Sequence, residues 1–134
     1  MKTISIITCG AIYALAFFSN SQDELNKSIA RGKELYKESC ITCHLANGEG
    51  VKGTFPPLAK ADFLTKYPEK SIHGVKFGMK GPIKVNGVDY NNAMPPSGFA
   101  DDEIADVMNY IRNSFGNKNT QLITEKMVAA VKEK

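Results

Sequence analysis

The sequence predicts a mostly α-helical domain with one small β-hairpin, and three observations carry that prediction. Ile104, Val107, Met108, Ile111 and Phe115 recur at helical spacing, which marks Asp101 to Phe115 as the strongest helix. Ser28 to Ser39 carries Ile29, Leu35 and Tyr36 near one helical face. The clearest strand signal is confined to two β-prone triplets around Asn86-Gly87.

The elements follow in chain order. Lys2 precedes an uncharged, mostly apolar run from Ile4 to Phe18. That run is short for a bilayer span but suits the core of a secretory leader, with small residues at Ala14-Leu15-Ala16 and Ser19-Asn20-Ser21 for cleavage. Residues 1–21 are therefore expected to be a signal peptide and 22–134 the mature domain, with an uncleaved membrane anchor as the rival reading. Cys9 as a lipidated cysteine is a weaker reading, because the apolar run continues past it. In the first mature helix Ser28 is the expected N-cap. Gly32 inside that helix marks a place where another helix can cross closely.

This helix leads straight into Cys40-Ile41-Thr42-Cys43-His44. Two thiols three apart with an imidazole directly after read as a c-type haem attachment site. One tight turn presents both sulfurs to the two vinyl groups on one haem edge, and the histidine is then held under the iron. Three other chemistries compete for the motif. A thioredoxin-like pair wants a βαβ context that this pattern lacks. A zinc site needs a fourth ligand, which only His73, Cys9 or a carboxylate could supply. A Cys40–Cys43 disulfide would close too short a loop to stabilise much. Export of the chain agrees with haem attachment, because proteins with such motifs are expected to acquire their haem outside the bacterial cytoplasm.

A glycine- and proline-rich loop follows from Leu45 to Leu58. The carbonyl of Pro56 or of Pro57 is the expected partner of the free N–H of His44, which would fix its tautomer. Short helices are expected at Ala59–Thr65 and Glu69–Phe77, separated by Pro68. His73 falls there and reads as a packing residue. Ile83–Val85 and Val88–Tyr90 form the expected hairpin. Met94, stiffened by Pro95 and Pro96, is the expected second axial ligand, and Met79 is its rival. Met108 and Met127 read as packing residues. A last short helix is expected at about Thr124 to Lys132, capped by Thr124.

Together these residues resemble a class I c-type cytochrome of the small bacterial monohaem group. The resemblance rests on Gly32-Lys33-Glu34-Leu35-Tyr36, the Cys40-to-His44 motif, Phe55-Pro56-Pro57-Leu58-Ala59, Val85-Asn86-Gly87 with Tyr90, and Met94-Pro95-Pro96. Asp102-Glu103-Ile104-Ala105 with Tyr110-Ile111-Arg112 completes it. It covers about residues 28 to 131. It implies a cytochrome c fold whose first and last main helices cross near Gly32 and Tyr110. It implies one covalent haem c on Cys40 and Cys43, with His44 and Met94 as iron ligands. One departure is Ala100, where similar sequences often carry Ser or Thr, so Asp101 is expected to cap instead.

With both axial positions filled, the iron has no open site for substrate. The expected function is periplasmic or otherwise exported one-electron transfer, with no enzymatic activity. The alternatives are a haem enzyme or gas sensor with a labile distal side, and a dedicated subunit of a membrane oxidase, reductase or dehydrogenase. The formal net charge is +3, and residues 52–84 hold seven lysines against Asp62 and Glu69. If those lysines surround the haem edge, they steer the protein to redox partners with acidic docking patches. No nucleic-acid partner is expected, membrane contact only through a partner or the N-terminal segment, and the chain is read as a monomer.

Overall fold

The computed structural model describes residues 7–133, with side chains from Ser21 onward. The leader expected over residues 1–21 lies partly outside the described residues, as does the Cys9 side chain. Helix α1 runs from Ile7 to Ser39, and α2 is the single turn Ile41–His44. Asp62–Lys66 forms α3 and Pro68–Phe77 forms α4. Strands β1, Ile83–Val85, and β2, Val88–Tyr90, pair antiparallel. Helix α5 spans Asp101–Asn113 and α6 spans Glu125–Ala130. No helix among the described residues is long and apolar enough to cross a membrane.

The frame is the crossing of α1 on α5. Gly32 makes it: a Cβ there would run into the backbone carbonyl of Asp106 and within 2.9 Å of the Tyr110 Cβ. Around the crossing, the Tyr36 ring lies 5.4 Å from Tyr110 and 5.2 Å from Phe115. Beside it, the buried Asp106 carboxylate accepts from Ser28 Oγ at 2.6 Å and from Arg31 Nη2 at 2.8 Å. Ser28 is thus a buried mid-helix residue, which overturns the N-cap expectation. Its hydroxyl is committed to a long-range partner because the helix began far upstream.

Ile104, Val107, Met108 and Ile111 of α5 are all buried, and they face Tyr36, Ile72 of α4, Val85 of β1 and Tyr90 of β2. The helix starts at Asp101, with Ala100 in the cap position. Asp101 does not cap. Glu103 reaches back instead, its carboxylate accepting the Ala100 N–H at 2.9 Å. The helix also stops earlier than expected. Ser114 turns extended and Phe115 takes a φ of 59°, so its ring folds back onto Tyr36 and Tyr110 rather than continuing the helix.

The hairpin has the expected register, Ile83 opposite Tyr90 and Val85 opposite Val88. Asn86 and Gly87 both take positive φ, 50° and 80°, as a type I′ turn requires. Asp62 clamps that turn: its carboxylate accepts the Asn86 N–H at 2.7 Å, and its own N–H donates to Asn86 Oδ1 at 2.9 Å. The positive φ of Lys60 and the extended Ala61 delay α3 to Asp62. Pro68 opens α4 rather than merely preceding it, since a missing N–H costs nothing in the first turn. Thr124 caps α6 through its Oγ1, which accepts the Met127 N–H.

Candidate haem site

The site is built from α2 outward. Cys40 closes the last turn of α1 and opens α2, so both motif cysteines and His44 sit on one compact stretch of backbone. Both thiols are free and half-buried. Burial, reinforced by Cys43, pushes the Cys40 thiol up to about 11. In the chain without its cofactor it is therefore protonated at neutral pH, which slows the thiolate chemistry that would make a disulfide.

His44 is buried, 8% exposed, and its Nδ1 lies 3.0 Å from the Pro56 carbonyl oxygen. A carbonyl can only accept, so Nδ1 carries the proton and Nε2 keeps its lone pair. Burial holds the imidazole below its ordinary range, and the Pro56 bond opposes that. Pro57 lines the same cavity beside Pro56.

The intervening loop explains the glycines. Tyr36 donates its hydroxyl to the Leu45 carbonyl at 2.7 Å, Gly50 N–H donates to the His44 carbonyl at 3.1 Å, and Leu58 N–H donates to Gly48 at 2.7 Å. Gly50 takes a φ of 61°, and a Cβ there would meet the Pro56 carbonyl at 2.7 Å. Only glycine lets the chain pass behind the carbonyl that holds His44.

His44, Cys40 and Met94 line one cavity. Its walls are apolar, with Leu58, Phe63, Val75, Ile83 and Ile111 among them. Met79 and Met108 also line it, from the loop after α4 and from α5. His73 is elsewhere: its ring lies tilted against Phe77, centroids 5.2 Å apart, and lines an outer groove. Among the described residues, no three or more His, Cys, Asp or Glu side chains gather to hold a metal ion. An apolar slot with a cysteine on its wall, an imidazole Nε2 free to donate and a thioether fits an iron porphyrin.

Fold and site define a class, the c-type haem proteins that carry electrons. The family model of cytochrome c matches residues 29–115. Cytochrome c-552 of Thermus thermophilus is 41% identical over 95 residues, covering 66% of this chain and 70% of that one. The cytochrome c subunit of the quinone alcohol dehydrogenase of Gluconobacter oxydans is 37% identical over 89 residues, covering 64% of this chain but 18% of that subunit. Cytochrome c-551 of Bacillus subtilis is 29% identical over 91 residues, covering 68% and 78%. The chain belongs to the cytochrome c family: it is an electron carrier, and its cofactor is haem c.

Proposed function

We propose that this protein is an exported one-electron carrier of the periplasm, with haem joined through Cys40 and Cys43 and iron ligated by His44 and Met94. The observation that carries the reading is the pairing of His44 and Met94 on one apolar cavity, with the His44 proton committed to Pro56. Haem iron, when bound, supplies a reversible exchange of one electron between its ferric and ferrous states. The chain's residues do the rest. Pro56 orients the imidazole, Met94 would hold the iron together with His44 and so leave no position for substrate, and the apolar walls exclude water, which keeps the solvent response to charge transfer small.

Docking is proposed at the outer groove. It shares Phe63, Met79 and Ile83 with the haem cavity, and Lys70, Lys80, Lys84 and Lys132 line it against Glu69. Positive charge beside the electron's exit favours partners with acidic patches, in the small transient interfaces of redox pairs. A second reading, a dedicated subunit of a dehydrogenase complex, draws support from the Gluconobacter relative. In either role the chain is a carrier rather than a catalyst.

Mass spectrometry of protein made with haem-attachment machinery tests the proposal, and is expected to find one haem and a mature N-terminus near residue 22. A colourless product, or one that binds carbon monoxide rapidly in the ferrous form at neutral pH, would count against it. Co-purification with a membrane dehydrogenase would favour the second reading.

A further inference from the structure

We infer that Met79 is a reserve axial ligand, a second thioether held beside Met94 and able to take the iron when Met94 leaves it. The inference rests on the His44/Met94 ligation proposed above. Met79 and Met94 form an isolated antiparallel pair. The N–H of each donates to the carbonyl of the other, at 2.9 Å in both directions. Residues directly opposite in such a pair put their side chains on the same face, with Cβ atoms about 5 Å apart. Both methionines line the cavity that His44 lines.

The surroundings hold the backbone of the pair. Gly78 takes a φ of 82°, and a Cβ there would meet the Met94 carbonyl at 2.8 Å, so glycine lets the two segments close on each other. Ser97 N–H donates to the Val75 carbonyl at 2.9 Å and ties the segment after Met94 to α4. The Met79 methyl occupies space left by Gly74: a Cβ at Gly74 would come within 2.8 Å of it. An unbranched thioether with several rotatable bonds can then sweep across the shared face while its backbone stays fixed. Met108 also lines the cavity, but from α5, where it is 1% exposed and part of the packed core.

The exchange is chemically simple. One neutral sulfur leaves the iron and another arrives, so no proton or electron moves. A His/thioether pair is preserved, and with it the raised reduction potential that such a pair gives.

The test uses the haem-loaded protein as wild type, Met94→Leu, Met79→Leu and the double variant. Leucine conserves volume, so the cavity keeps its packing. Met94→Ala serves as a second variant if Met94→Leu fails to fold. The readouts are the far-red iron–thioether absorption of the ferric form and the reduction potential, with far-UV circular dichroism as the fold control. Met94→Leu is expected to keep the band and a potential near wild type, Met79→Leu to keep the band through Met94, and the double variant to lose the band and drop in potential. Loss of the band in a folded Met94→Leu, haem still attached, overturns the inference. So does a double variant that keeps the band, which would point to Met108, or a Met79→Leu that loses it, which would make Met79 the resident ligand. A wild type with haem attached and no such band refutes the underlying ligation instead.

Discussion

His44 is the residue on which protonation, packing and ligation meet. Burial lowers its pKa in the folded state, so the unfolded chain takes the proton first as the pH falls below about 6.5. The stability contributed by neutral His44 is complete above that value and is lost as the pH drops through the folded-state pKa. A ligand on Nε2 acts with the same sign. The guanidinium midpoint of the protein is therefore expected to fall steadily from about pH 7 to about pH 5. A flat midpoint over that range would contradict the buried, neutral imidazole. Asp62 contributes at lower pH. The Asn86 N–H, then Lys66, hold its carboxylate below the usual range, so its share is present above about pH 3.9 and is lost below it. Tyr36 offers a second test at this scale. It is 1% exposed, and its hydroxyl donates to the Leu45 carbonyl at 2.7 Å, which also accepts the Gly48 N–H at 3.2 Å. Tyr36→Phe removes the shorter of those two bonds and leaves the Gly48 donor, and is expected to cost about 1 kcal/mol in denaturant titration.

At the scale of elements, the α1–α5 crossing governs. A methyl group at Gly32 would collide with the backbone of Asp106, which no rotamer change can relieve. Gly32→Ala is expected to lower stability by about 3 kcal/mol or more, read as a fall in unfolding midpoint, despite the better helix propensity of alanine. Asn109 joins the next pair of elements. Fully buried, it donates to the Ile123 carbonyl and accepts the Ile123 N–H, both at 2.8 Å, fastening the segment before α6 to α5. Asn109→Ala orphans both backbone groups and is expected to cost about 2–4 kcal/mol, with faster amide exchange at Ile123 and Val128.

These elements also separate what was legible in the sequence from what was not. The hairpin was legible because Asn86-Gly87 is a local signal whose φ values need no tertiary help. Gly32 was legible because a glycine inside a helical pattern has few other uses. The haem cofactor was legible from one pentapeptide, and the Pro56–His44 bond was narrowed to two prolines. The choice between them depended on how the loop folds over Gly50, which no local pattern encodes. Ser28 was misread because a serine before a helical run looks alike whether the helix starts there or passes through. The Met79–Met94 pairing was invisible for a similar reason: the two lie fifteen positions apart, and single bridged residues leave no alternation to detect.

At the scale of the molecule, charge distribution matters more than net charge. Lys66, Lys76 and Lys84 are ion-paired with Asp62, Asp101 and Asp89, so part of the basic excess over residues 52–84 is neutralised locally. Under the proposed docking, the face turned to a partner is the groove lined by Lys70, Lys80 and Lys132. Lys80→Glu with Lys70→Glu is expected to slow electron transfer to an acidic partner about tenfold at low salt. The gap should close at high ionic strength, where the Debye length shrinks to about 3 Å at 1 M. Equal rates at low salt would rule out steering through this groove.

The carbonyl of Pro56 lies on a separate loop from the helical turn that carries His44. Under the proposed ligation, the electron density reaching iron from below is thus governed by a peptide group twelve residues downstream. Transplanting the segment from Leu45 to Pro57 between family members would carry the proximal half of the redox tuning with it, leaving the attachment pentapeptide untouched.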